Sequence, residues 1–224
     1  MNTNPTKSEE QFELGRKYFK GDGLPRNLEK AVYWYTKSAE QKHAEAQCHL
    51  ADSYFLGEGV QKDFEKANFW YTKAAKQGSV NAQYCIGANY FLGVGVPLDR
   101  KKAFYWFKKA AEQGNESAQY NIGSAYFFGD GVQKNFKKAQ SWLTKFIEQK
   151  VERIDIAYYI IGQTFDLGGY GIKKKPEKAV EWYKKAANLG NKNSKIRLGE
   201  IYLFGAEGVP IDVKEAEYWR TKAN

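Results

Sequence analysis

The sequence of 224 residues contains very little cysteine, histidine or methionine. It has two cysteines (Cys48 and Cys85), two histidines (His43 and His49) and one methionine. Two cysteines form at most one bridge, so they cannot build the disulfide framework of a small secreted domain. The two histidines lack the spacing of a zinc-binding helix and belong to no recognisable nucleophile constellation. We therefore predict no catalytic residue, no metal site and no cofactor, and a protein that is not an enzyme.

Long apolar segments are also absent. No uncharged apolar run approaches the length of about 18 residues that a membrane span needs, and the mean hydropathy is −0.69. The first ten residues lack the apolar core of a secretory signal peptide. These absences predict a soluble protein without membrane insertion. As the sequence stands it is cytoplasmic, and it is periplasmic or secreted if a signal peptide has been removed.

The most prominent feature of the sequence is an internal repeat. Its six tryptophans recur at intervals of 36, 36, 36, 40 and 37 residues. A period of this size indicates a solenoid or an array of repeats. An aliphatic residue followed by glycine or alanine, an aromatic residue three positions later and a glycine pair all keep the same period. The tryptophans are Trp34, Trp70, Trp106, Trp142, Trp182 and Trp219.

Each repeat has the pattern of two helices. Apolar residues are spaced by three and four positions, which favours amphipathic helices over strands. The glycine pair predicts a tight turn between the helices. Small residues such as Gly15 and Ala31 allow the two helices to approach closely. One repeat cannot bury its apolar surface alone, so neighbouring repeats must stack.

Helix starts and ends are marked in the second helix of each repeat. Side chains suited to capping the N-terminus precede it in five repeats: Asn27, Asp63, Asp99, Asn135 and Asp212. In the fifth repeat Lys175 takes that place, and Pro176 is predicted at the first helical position. Gly78, Gly114 and Gly190 are predicted to follow the last turn.

The repeat resembles the Sel-one-like repeat (SLR), a relative of the tetratricopeptide repeat. The third copy carries the motif as Ile86-Gly87, Tyr90, Gly93-Val94-Gly95-Val96, Asp99, Lys102-Ala103, Trp106, Lys109-Ala110-Ala111 and Gly114. The resemblance covers residues 9 to 224 in six copies. It implies an all-α protein, a right-handed α/α superhelical solenoid of six two-helix repeats. It also implies a protein-interaction scaffold.

The repeat pattern predicts the domain organisation. We expect an N-terminal tail at residues 1–8 and a single solenoid domain at residues 9–224. The six units are expected at approximately 9–42, 43–78, 79–114, 115–150, 151–190 and 191–224.

By similarity to tetratricopeptide stacking, the inner face of the first helices should form a concave groove with an aromatic middle. We expect it to bind a protein or peptide ligand, with the chain a monomer in a bacterial effector, immunity or regulatory role. The alternative for the rings that follow each repeat tyrosine is packing between adjacent repeats. The predicted groove consists of Cys48, Asp52, Phe55, Tyr84, Phe91, Leu92, Tyr120, Ser124, Phe127, Phe128 and Gln163.

Two other functions stay open at this point. Some cysteine-rich relatives suggest a cell-envelope enzyme of the penicillin-binding type, although this chain lacks their paired cysteines. The net charge of +9 suggests nucleic-acid binding through a basic convex surface. Lysines such as Lys109 and Lys145 follow the period on the second helices, and the groove rings are expected on the opposite face. For that reason we do not expect nucleic acid as a partner.

Overall fold

The computed structural model describes residues 6–149 and 154–223. Within these residues the backbone forms twelve α-helices and no strand. None of these helices has both the length and the apolar character that crossing a bilayer requires. The helices are α1 (Lys7–Lys20), α2 (Leu28–Glu40), α3 (Ala44–Leu56), α4 (Phe64–Lys76), α5 (Val80–Leu92), α6 (Arg100–Glu112), α7 (Glu116–Phe128), α8 (Phe136–Glu148), α9 (Ile154–Leu167), α10 (Pro176–Asn188), α11 (Lys192–Phe204) and α12 (Val213–Ala223).

Consecutive helices pack in pairs, which confirms the prediction of an all-α solenoid of six two-helix repeats. The chain divides into two compact units, unit 1 at residues 1–115 and unit 2 at residues 116–224, each with three repeats. Helix α1 begins at Lys7, inside the predicted tail. The predicted boundary between the fourth and fifth repeats falls at 150–151, which lies outside the described residues.

Side-chain caps start the second helices as predicted. The side chains of Asn27, Asp63 and Asp99 each accept a hydrogen bond of 2.9 Å from the backbone N–H three residues later. Asn135 and Asp212 make the same bond at 2.8 and 3.1 Å. Each cap satisfies a backbone donor that the helix itself leaves without a partner. The fifth repeat departs as expected: Lys175 makes no side-chain cap, and Pro176 opens the helix.

The helix ends follow the sequence prediction as well. Gly78, Gly114 and Gly190 have φ angles of 98°, 93° and 97° just beyond α4, α6 and α10. Glycine adopts this left-handed conformation at little cost because it has no Cβ. At Gly78 and Gly190 the chain therefore turns sharply into the first helix of the next repeat.

The apolar core lies between the helices of a repeat and between stacked repeats. In unit 1, Ala67 and Tyr71 of α4 form one buried cluster with Ile86 of α5. The half-buried rings of Trp70 and Trp106 pack against the same cluster. Since its members come from successive repeats, stacking completes the burial that one repeat cannot achieve.

Buried glutamines satisfy polar groups where repeats meet. Gln47 in α3 donates from Nε2 to the carbonyl oxygen of Ala39 at 3.0 Å. Its Oε1 accepts a bond of 2.7 Å from Nε2 of Gln77. Gln83 repeats both bonds one repeat later. The last-turn carbonyl of one repeat is thereby paired inside the next, as buried polar groups require.

The two helices of a repeat meet at one small residue. A Cβ atom placed on Gly87 of α5 would lie 2.8 Å from Cδ1 of Phe107 in α6, closer than real Cβ contacts allow. Gly123 and Gly162 in unit 2 face their second helices in the same way. The absence of a side chain here lets the ring of the second helix pack onto the backbone of the first.

We therefore expect Gly87→Ala to destabilise the protein. Alanine improves helix propensity by about 1 kcal/mol, but the overpacked contact with Phe107 should cost about 1–3 kcal/mol. Thermal unfolding followed by circular dichroism should show a lower midpoint. The control is Ser117→Ala at an exposed position of α7. An increase in stability for Gly87→Ala similar to that of the control would contradict the close contact.

Candidate functional site

The predicted groove residues lie on the first helices of both units. Unit 1 contains Cys48, Asp52 and Phe55 on α3, and Tyr84, Phe91 and Leu92 on α5. Unit 2 contains Tyr120, Ser124, Phe127 and Phe128 on α7, and Gln163 on α9.

In unit 1 the first helices enclose a polar cleft of about 530 Å³, here called the unit 1 cleft. Residues from three repeats contribute to its wall. The cleft brings together the predicted Cys48 and Asp52, but Phe55, Tyr84 and Phe91 are not part of it. Its polar lining residues are Arg16, Lys20, Glu45, Cys48, His49, Asp52, Tyr71, Ser79, Asn81 and Cys85.

Asp52 in the unit 1 cleft is hydrogen-bonded to the second helix of its own repeat. The Tyr71 hydroxyl donates a hydrogen bond of 2.5 Å to Oδ1 of Asp52. Burial, followed by the bond to Asp52, raises the pKa of Tyr71, so this hydroxyl remains a donor at neutral pH. Sγ of Cys48 lies 3.1 Å from Oγ of Ser79. The Asp52 carboxylate is half-buried, and among the described residues its other oxygen, Oδ2, has no hydrogen bond.

His49 forms an aromatic wall of the unit 1 cleft. Its ring stacks on Tyr35 at 5.2 Å between centroids and lies 5.4 Å from Phe12. Burial lowers the pKa of His49, with the charge of Asp52 acting in the opposite direction. His49 is therefore neutral at pH 7. The second histidine, His43, has a structural role because its Nδ1 accepts a 3.2 Å bond from the Ala46 backbone N–H at the start of α3.

The two residues after each repeat tyrosine differ in exposure. In unit 1 the first of them packs within its own repeat: Phe55 meets Phe64 edge-on at 5.1 Å between centroids. Phe91 lies beneath the guanidinium of Arg100 at 3.7 Å. These contacts occupy the first position within its own repeat, whereas the alternative expected packing between adjacent repeats.

The second residue after each tyrosine faces solvent. Leu56 and Leu92 are 57% and 65% exposed in unit 1. Tyr84 remains half-buried against Phe107, at 5.7 Å between centroids. Leucine side chains exposed to this extent supply the apolar surface that unit 1 offers on its first helices.

Unit 2 shows the same division. Phe127 is 6% exposed and stacks on Phe136 at 5.1 Å, whereas the next residue, Phe128, is 56% exposed. Tyr120 packs beside Phe146 at 5.5 Å. Ser124 has a buried hydroxyl for which the described residues provide no hydrogen-bond partner. Of the four groove residues predicted on α7, Phe128 presents the exposed ring.

A network of charged side chains links the first helices α9 and α11 of unit 2. Arg197 of α11 donates to both carboxylate oxygens of Asp166 of α9, at 2.7 and 3.1 Å, and to Glu200 at 2.9 Å. The Tyr183 hydroxyl donates to Asp166 at 3.0 Å. The predicted Gln163 lies on the same helix as Asp166, and its Nε2 donates to the Tyr159 hydroxyl. These bonds connect two successive repeats and leave little of the Asp166 carboxylate free.

The sequence prediction overlooked exposed rings on the second helices of unit 1. Each of these rings stands directly before a repeat tryptophan. Their recurrence every 36 residues is the sequence signal that could have revealed them. Each ring carries a lysine ammonium from the next turn of its helix. Unit 1 therefore has exposed rings beside the lysines of its second helices, in addition to the groove rings that were expected on the opposite face. The pairs are Tyr33 with Lys37, Phe69 with Lys73 and Tyr105 with Lys109.

The difference in exposure between Phe127 and Phe128 in unit 2 leads to a prediction for stability. Phe127→Ala should cost about 3–5 kcal/mol because it removes a buried ring from a stacked contact. Phe128→Ala should cost less than about 1 kcal/mol because it changes a surface position. Urea unfolding of both variants measures the difference. Equal losses would show that the two neighbouring rings do not differ in burial.

The thiol of Cys85 generates a prediction for pH dependence. Burial, then the charge of Asp52, raises the pKa of Cys85 to about 11. Only the thiolate reacts, so alkylation of the folded protein at pH 8 should be roughly a hundredfold slower than that of an ordinary cysteine. Iodoacetamide labelling of the Cys48→Ala variant, followed by mass spectrometry, isolates Cys85. The rate should rise with pH up to about 11 in the folded protein; a rate equal to that of the urea-unfolded chain would refute the shift.

Comparison with known proteins supports the repeat assignment. A family model described as Sel1 repeat matches the chain six times. The matches cover residues 11–43, 44–79, 80–115, 116–151, 156–191 and 193–223. No curated protein matches the chain.

Two solved structures are similar along nearly the whole chain. A protective antigen of uropathogenic Escherichia coli with an SLR fold is 34% identical, with a TM-score of 0.81 over 96% of this chain. The chain spans 45% of the length of that antigen. A Sel1 repeat protein from Oxalobacter formigenes is 32% identical, with a TM-score of 0.67, and the match covers 97% of this chain and 85% of that protein. With six family matches and two relatives above 30% identity, this chain belongs to the Sel1 repeat family, which generally serves protein–protein interaction.

Proposed function

We propose that this chain is an adaptor or scaffold that binds a segment of a partner protein on the first helices of unit 1. The observation that carries the proposal is the pair of exposed leucines, Leu56 and Leu92, at equivalent positions of successive repeats. They end α3 and α5, the two helices that contribute most of the predicted groove in this unit. Exposed apolar positions that recur on one face are typical of an interaction surface.

The charges of this surface define the kind of segment that fits. Helices α3 and α5 contain no lysine or arginine, and their charged residues are Glu45 and Asp52. The leucines offer contact to apolar side chains. Asp52 keeps one carboxylate oxygen beyond its bond to Tyr71. A segment with spaced apolar residues and a lysine, arginine or backbone donor between them would match this arrangement.

This function requires no chemistry from the chain. It fits an adaptor, immunity or regulatory protein that holds its partner and works as a monomer. Cys48 and Cys85 are free thiols, and burial raises the pKa of both. They act in the unit 1 cleft as small protonated side chains.

The test compares two double variants in affinity capture from native lysate with identification by mass spectrometry. Leu56→Ser with Leu92→Ser should remove at least nine-tenths of the captured partner. Burial of each apolar side chain against a ligand is worth about 1.5–3 kcal/mol. The helical signal and the unfolding midpoint should remain close to those of the unchanged protein, because both leucines are more than half exposed.

The matched control is Leu98→Ser with Leu189→Ser. These leucines are 57% and 54% exposed and lie outside the first helices. The control should retain the partner. Loss of the partner in the control and retention in Leu56→Ser with Leu92→Ser would contradict the proposal.

A further inference from the structure

The second helices of unit 1 carry a surface of a different kind. Rings at Tyr33, Phe69 and Tyr105 are 54%, 54% and 52% exposed. They occupy equivalent positions on α2, α4 and α6, the second helices of three stacked repeats. We call these rings and the lysines beside them the unit 1 ladder. Its lysines are Lys37, Lys73 and Lys109.

The three ring–lysine pairs of the ladder, here called its rungs, have nearly the same geometry. Each ring meets the following tryptophan edge-on, with centroids 5.0–5.1 Å apart and interplanar angles of 77–83°. Each of these rings nevertheless remains about half exposed. The lysine ammonium lies over one face, 5.7, 4.8 and 5.3 Å from the centroid in successive rungs. Each rung therefore presents a flat ring and a positive charge side by side.

The basic charge of unit 1 is concentrated on the helices that carry the ladder. Helices α2, α4 and α6 together contain ten lysines and arginines and four glutamates. Some of these cations are already paired, since Lys66 and Lys102 lie 3.2 and 3.4 Å from the carboxylates of the helix caps. Among the described residues, no ion pair involves the three ladder lysines. Their charges are available to an anionic ligand.

A cleft beside the middle rung supplies room for a ligand group. It measures about 690 Å³ and lies between α4 and the turn of the next repeat. Phe69, Lys73 and Lys76 line it together with Glu65 and Val96, so two ammonium groups stand against one carboxylate. A planar group that stacks on Phe69 would thus have two ammonium groups within the same cleft.

We propose that the unit 1 ladder binds single-stranded nucleic acid. Unpaired bases stack on exposed aromatic rings while cationic side chains neutralise the phosphates, and stacking is worth about 1–3 kcal/mol per base. An acidic protein segment would satisfy the charge, but lysine is depleted in the buried centres of protein interfaces. A ring paired with a lysine in each of the three repeats of unit 1 matches the alternation of base and phosphate better than it matches an acidic protein segment. This surface is separate from the first-helix surface assigned to a protein partner.

The test is fluorescence anisotropy of a labelled oligo(dT) of about 15 nucleotides, long enough for several stacked bases, titrated with the full chain. Changing all three ladder rings to leucine keeps apolar contact with the tryptophans but removes the stacking faces. Affinity should fall at least tenfold while the circular dichroism spectrum stays the same. Changing Lys37, Lys73 and Lys109 to glutamine should weaken binding and reduce the salt slope by about 2, since each phosphate contact contributes about 0.7.

Three controls make the outcome decisive. Changing Lys173, Lys174 and Lys214 of unit 2 to glutamine removes the same charge from exposed positions and should preserve most of the affinity and slope. A DNA duplex of equal length should bind more weakly than the single strand. A polyglutamate peptide should not compete at equal charge concentration.

Four results would overturn the proposal. They are undiminished binding by the leucine variant, equal losses in both lysine variants, tighter binding of the duplex, and ring-dependent binding of polyglutamate in place of oligo(dT). The last result would assign the ladder to an acidic protein segment.

Discussion

The architecture depends on the close approach of two helices at one small residue in each repeat. At Gly87 the ring of Phe107 lies where a side chain would otherwise project. This contact sets the spacing between the first and second helix, so the tryptophan of the second helix can reach the core that the next repeat completes. Because dense packing tolerates little change in volume, a small residue recurs at this position: Gly123 and Gly162 approach their second helices as closely as Gly87 does, and Ala51 takes the place in the second repeat.

Repetition of the helix pair gives unit 1 two chemically different surfaces, one on the first helices and one on the second helices. The first helices α3 and α5 lack lysine and arginine and expose leucines, whereas the second helices carry an excess of positive charge and exposed rings. Each surface consists of equivalent positions in successive repeats. A ligand that engages several repeats therefore meets the same chemistry at regular steps. A solenoid can in this way present separate sites without separate domains.

Aromatic residues of one type have different roles according to their neighbours. Phe127 stacks on Phe136 and belongs to the packing of its repeat, while Phe128 projects into solvent. Phe91 lies under the guanidinium of Arg100, which covers one face of the ring. Phe69 keeps one accessible face beside a single lysine. Aromatic content alone therefore does not identify a binding surface.

Local sequence signals were sufficient for the secondary structure and its repetition. The caps at Asn27, Asp63 and Asp99, the proline start at Pro176 and the glycines after the second helices all follow from interactions within a few residues. Such short-range preferences do not depend on the rest of the fold. The spacing of the tryptophans added the number of repeats.

Exposure was decided by tertiary structure. The sequence placed Phe127 and Phe128 together on one predicted surface, but the residue that begins the following helix covers only the first. It also gave no sign that Asp52 would be held by Tyr71 from the second helix, or that Tyr33, Phe69 and Tyr105 would stand free beside lysines. By itself the sequence determined the helices, their pairing and the family. The accessible faces depend on contacts between residues far apart in the chain, because only packing decides which side of a ring is covered.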